Sequence, residues 1–104
     1  MIKGYKGFDK DLKCRGFQYE VGKEYEHEGM ASACESGFHF CQNPMDVFNY
    51  YDPANSRYCE VEGSGETDTD GDDSKVSASK LKVGVEIGIP GIIKAGVEYI
   101  KSLS

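Results

Sequence analysis

The stretch Gly37-Phe38-His39-Phe40-Cys41-Gln42-Asn43-Pro44-Met45-Asp46-Val47-Phe48-Asn49-Tyr50-Tyr51 joins a strand directly to a helix start. In its first five residues Phe38 and Phe40 point one way and His39 and Cys41 the other, as the two-residue period of a strand requires. Asn43 then suits a helix N-cap, Pro44 the first helical position, and Asp46 the positive end of the helix. Asp52-Pro53 ends the segment, because the residue before proline is pushed out of helical geometry. Met45, Phe48 and Tyr51 recur at helical spacing, as do Val47 and Tyr51, which predicts a stripe facing the core. A strong strand feeding a short helix predicts a mixed fold rather than an all-β one.

The flanking sequence fills in the sheet. Ile2 to Phe8 reads as a strand, followed by a turn at Asp9-Lys10-Asp11. Phe17-Gln18-Tyr19-Glu20-Val21 alternates, so Phe17, Tyr19 and Val21 are expected on one face. Tyr25 to Glu28 reads as a short polar strand end. Arg57 to Glu62 alternates again, with Cys59 and Val61 on one side. From Lys80 to Ile89, the residues Leu81, Val83, Val85, Ile87 and Ile89 share a face. Pro90 opens a helix in which Ile93, Val97 and Ile100 follow the i, i+4, i+7 pattern of an amphipathic face. The expectation is an α+β domain with a mostly antiparallel sheet from 2–8, 17–21, 37–41, 57–62 and 80–87. Helices are expected at about 44–51 and 91–102.

At 104 residues the chain has the size of a single domain, 1–104. Eleven of its 12 aromatic residues precede residue 59, which places the aromatic-rich core in 2–62. Residues 60–73 carry seven acids and no base, whereas 74–104 carry five bases and two acids. An acidic loop over 63–75 is therefore expected, then a strand and the C-terminal helix over 76–104. The net charge of −6 argues against direct binding to nucleic acid or anionic lipid. The longest apolar stretch, Ile87 to Ile93, is far shorter than the ~20 residues of a membrane span. Met1 to Lys6 contains no apolar run of the signal-peptide kind, so a cytoplasmic location is expected.

Cys14, Cys34, Cys41 and Cys59 match no C-x-x-C pattern, and without a secretory signal they read as reduced, mostly buried thiols. No metal and no cofactor follow from them. The alternative is a zinc-stabilised structural module, with Cys34, His39 and Cys41 joined by Cys14 or Cys59. Glu66 to Asp72 resembles the start of a calcium loop, but Ser77 stands where the bidentate glutamate belongs, so a solvated loop is expected. His39 with Cys41 suggests a thiolate nucleophile, yet nothing supplies an orienting acid or an oxyanion hole, and no catalytic residue is assigned.

Tyr5 to Tyr19, reading YKGFDKDLKCRGFQY, and Ser36 to Tyr51, reading SGFHFCQNPMDVFNYY, resemble a small domain of unknown function that occurs in bacteriophages and prophages. The resemblance covers roughly residues 2–85, including a strand like Arg57–Glu62 and a segment like Gly71–Val76. It implies a viral or prophage setting in a host bacterial cell and brings no established activity with it. Tyr5-Lys6-Gly7 and Gly37-Phe38-His39-Phe40 also resemble, more distantly, the strand motifs of the ADP-ribosyltransferase fold. That likeness implies an NAD-binding enzyme in which Glu60 or Glu62 is the catalytic acid. Lys6 and His39 depart from the residues that hold NAD there.

The leading expectation is a non-enzymatic accessory protein that binds a host protein or complex, for instance as an anti-CRISPR inhibitor of a nucleic-acid-binding machine. Its physical motive is the acidic surface expected from Glu60, Glu62, Glu66, Asp68, Asp70, Asp72 and Asp73, whose charge density imitates a phosphate backbone. The competing expectations are the transferase-like enzyme and the zinc module. A cleft holding Lys6, His39 and Glu60 together would favour the enzyme.

Overall fold

The computed structural model describes residues 1–27, 37–69 and 74–103. In chain order the strands are β1 (Ile2–Asp9), β2 (Lys13–Cys14), β3 (Phe17–Gln18), β4 (Glu24–Glu26), β5 (Phe38–Cys41), β6 (Ser56–Thr69) and β7 (Lys75–Ile87). A 3₁₀ helix, Pro44–Asn49, follows β5, and α1 (Ile89–Ser102) follows β7. All pairings are antiparallel. β7 pairs with β5, β5 with β1, β1 with β6, and β6 returns to β7, so the sheet closes into a small barrel. Its narrowest seam is β1 against β5, which share the single register pair Tyr5↔Cys41. β4 lies at the end of the strand order, on β7. The α+β class read from the sequence is the one observed.

Two apolar clusters follow from strand alternation. Inside the ring, Phe8, Phe40, Cys59, Val61, Val76, Ala78, Leu81 and Val83 pack together with Leu12 and Tyr19. The Phe40 ring fits because its neighbours are glycines. A Cβ on Gly4 or on Gly63 would stand 2.5 Å from that ring. Outside the ring, Cys41, Val47, Tyr58 and Ile92 form a second cluster beneath the two helices. The helices meet where Gly96 leaves room for Met45, whose Cγ would lie 2.7 Å from a Cβ there.

Several boundaries differ from those expected. The 17–21 strand shrinks to Phe17–Gln18, because Arg15 (φ 51°) and Gly16 (φ 80°) make a tight turn that folds it onto β2. Tyr19 alone of its expected face is buried, and Phe17 and Val21 are half exposed. The helix at 44–51 is a 3₁₀ turn ending at Asn49, with the expected cap: Asn43 Oδ1 accepts from the Met45 N–H at 3.1 Å. Three residues per turn bring Pro44 and Val47 to the fully buried side; of the predicted stripe, Phe48 and Tyr51 pack against the second cluster at its edge, and Met45 is left 39% exposed.

The acidic loop is largely strand: β6 runs to Thr69 and β7 begins at Lys75. The polar run zips onto β7 with register shifts at Cys59/Val61 and Ser64/Thr67, tertiary pairing overriding weak strand propensity. The C-terminal helix starts at Ile89 and buries Ile92 and Gly96. Ile93, Val97 and Ile100, the face expected to pack, are 49%, 48% and 60% exposed. Small residues made the closer approach: a Cβ on Gly91 would lie 3.2 Å from Ile87 Cβ. No helix among the described residues is long and apolar enough to cross a membrane.

Candidate ligand site

β1 alternates Gly4, Lys6, Phe8 toward the barrel interior, so the sequence places a lysine among core residues. Lys6 is 5% exposed. It sits where β1 and β5 part after their one shared pair, and its Nζ donates to the His39 carbonyl at 2.6 Å. The side chain thereby supplies a donor across the gap to a strand carbonyl. Cys14 stands near enough to favour the charged ammonium, and Nζ lies 5.7 Å from the ring centres of both Phe8 and Tyr19. Carbonyl, sulfur and ring faces together accommodate an ammonium's three donors. Among the described residues no carboxylate forms an ion pair with it. Burial depresses the Lys6 pKa below the ordinary lysine value; Cys14 and Cys41 act in the opposite sense, and Arg15 adds to the depression.

This lysine lines a cavity of about 450 Å³ at the opening of the seam. The hairpin β2–β3 supplies Cys14, Arg15 and Phe17, β5 supplies Phe38 to Cys41, and the segment after the 3₁₀ helix supplies Tyr50 and Tyr51. Tyr51 Oη donates to Cys14 Sγ at 2.8 Å, and burial is the main reason that its phenol, like that of Tyr19, titrates far above the ordinary range. Phe17, Tyr19, Tyr25 and Phe38 form a ring cluster in edge-to-face and tilted pairs, with ring centres 4.7–6.4 Å apart. Lys75 Nζ stands 5.3 Å from the Tyr50 ring centre at the same cavity. Lys6, Arg15, His27, His39 and Lys75 are all among its lining residues, with Glu26 as the carboxylate among the described ones.

The acidic residues are divided. Glu60 and Glu62 lie on the outer face of β6, in a groove toward α1 that also contains Lys3, Lys82 and Lys94. Glu62 pairs in register with Lys3 on one side and Lys82 on the other, so opposite charges alternate across three strands. Burial, and then the charge of Glu60, raise the pKa of Tyr5 beside it. Glu66 and Asp68 are exposed farther along β6: Glu66 falls in the register shift between Ser64 and Thr67, and Asp68 stands in register with Ser77. Asp70, Asp72 and Asp73 lie outside the described residues, as does Cys34 of the zinc set. Among the described residues no three histidines, cysteines or carboxylates cluster as a metal site would require, and Cys14, Cys41 and Cys59 form no disulfide. Lys6 and His39 share one cavity, but Glu60 lies in the outer groove and does not join them. A lysine at an inward position of a strand, Gly4-Lys6-Phe8, was the signal in the sequence for this site.

Fold and site define a small antiparallel barrel with an aromatic, basic cavity at an open seam. The chain belongs to the family described as Domain of unknown function (DUF7666), whose model matches residues 2–95 and so reaches into α1. No curated protein and no solved structure matches it.

Proposed function

We propose that this domain binds a small anionic ligand carrying a planar ring, of the nucleotide class, in the cavity at the β1–β5 seam. The observation that carries the reading is the lining itself: aromatic residues beside Lys6, Arg15 and Lys75 and two histidines, in a chain whose net charge is −6. Rings stack on a planar ligand, and convergent basic groups in a concave, partly dry site favour an anion. Catalytic use of Glu60 does not fit, because that carboxylate faces the outer groove. Titration with AMP, ADP-ribose and NAD, followed by calorimetry, should give saturable binding that weakens as salt rises. Phe17→Ala should abolish it while leaving the fold intact, since Phe17 is already 47% exposed. Absence of saturable binding across the panel would refute the reading.

A second reading keeps the accessory protein of a phage or prophage, acting in the host cytoplasm as an inhibitor that binds a host protein such as a CRISPR component. What favours it is the distal part of β6, where Glu66 and Asp68 are exposed. Attraction between exposed charges steers association and falls with salt. Neutralising Asp68, Asp70, Asp72 and Asp73 together to Asn should slow association with the captured host protein while the melting temperature stays the same or rises. Unchanged affinity and unchanged salt dependence in that variant would remove the acidic surface from consideration.

A further inference from the structure

We infer that Lys6 makes the same cavity a covalent capture site for carbonyl compounds, its amine forming a reversible imine with an aldehyde borne on an anionic planar ligand. The inference rests on the ligand-binding reading above and adds the bond-forming atom. Lys6 Nζ lies in the cavity wall between the His39 carbonyl and two aromatic faces, with no carboxylate ion-paired to it among the described residues. A lysine desolvated in an apolar pocket, lacking an anionic partner, is more readily available as the free amine than one at the surface, and burial lowers the Lys6 pKa in that sense. The other nine lysines of the chain lack this setting: all are exposed or half exposed.

The step balances without an oxidant or reductant. The ammonium loses a proton to solvent, and the nitrogen lone pair attacks the carbonyl carbon while the π pair moves to oxygen. Transfer of a proton from nitrogen to oxygen gives the carbinolamine. Protonated hydroxyl then leaves as water as the carbon–nitrogen double bond forms, and water reverses the sequence. Tyr19, a cavity phenol held neutral by burial, can hydrogen-bond the departing oxygen. The basic groups Arg15 and Lys75 would receive the anionic part of the ligand.

The experiment uses the intact protein and pyridoxal 5′-phosphate, an aromatic aldehyde bearing a phosphate, at a substoichiometric level. After borohydride reduction, peptide mapping by mass spectrometry reads which lysines carry the label. Lys6 should carry more label than all nine other lysines combined, and an excess of pyridoxine 5′-phosphate, which lacks the carbonyl, should suppress it. Lys6→Arg, which keeps the charge but has no primary amine, should lose that label, while labelling of the exposed lysines stays as in the unaltered protein. Saturable binding of pyridoxine 5′-phosphate with Lys6 unlabelled would overturn the imine and leave the ligand pocket standing. Label spread over the exposed lysines, with no saturable binding, would overturn both. Dominant Lys6 labelling that pyridoxine 5′-phosphate cannot suppress would support the amine and refute the anionic pocket.

Discussion

Phe40→Ala is expected to lower the unfolding free energy by about 3–5 kcal/mol, the range for truncating a fully buried aromatic ring. Phe40 is 2% exposed and fills the barrel between Gly4 and Gly63. Neither glycine has a side chain that could swing into the space, so the cavity left behind should collapse poorly. His39→Ala on the same strand should cost about 1 kcal/mol, near the centre of the distribution for ordinary substitutions. His39 is only half buried, and the Lys6 bond goes to its backbone carbonyl, which the substitution keeps. Urea denaturation of the two variants measures the contrast. Equal losses at both positions would mean that the two faces of β5 are buried alike.

Gly63→Val should be damaging for the complementary reason, by about 1–3 kcal/mol or more, as overpacking of a filled core is. Its first added carbon would stand 2.5 Å from Phe40 Cε1 and 3.1 Å from Ala78 Cβ, so the ring would have to move against Gly4 on its other side. A smaller side chain at 40 should relieve the conflict. Phe40→Leu combined with Gly63→Val is expected to be more stable than the sum of the two single losses predicts, because contacting residues couple. Strict additivity of the two changes in denaturation would show that the ring does not occupy that space.

The sequence made the strands legible wherever alternation ran against a filled interior. Phe38 and Phe40, Cys59 and Val61, and Leu81 and Val83 all face inward as read. The Asn43-Pro44 helix start was legible too, because a cap is a local hydrogen bond that needs no tertiary partner. What was not legible depended on partners distant in sequence. Residues 63–69 have no strand signal of their own and are held by β7. In α1 the periodic Ile93, Val97 and Ile100 suggested the packing face, but backbone approach through Gly91 and Gly96 selected the neighbouring face with Ile92. Lys6 shows the same limit. Its inward position on the Gly4-Lys6-Phe8 strand is a local signal, but the cavity depends on β1 and β5 separating after one pair, a register effect that neither strand shows alone.

The short outer strand β4 has a bearing on how the protein behaves in a crowded cell. A long open sheet edge offers unpaired amides and carbonyls to any passing chain, and that templating is how fibrils and swapped oligomers begin. Here β6 and β7, the two longest strands, pair with each other and with β1, β5 and β4. The strand ending that order is three residues, Glu24-Tyr25-Glu26, with both glutamates exposed. Like charges brought together by edge-to-edge stacking would repel, so this border discourages another copy from extending the sheet.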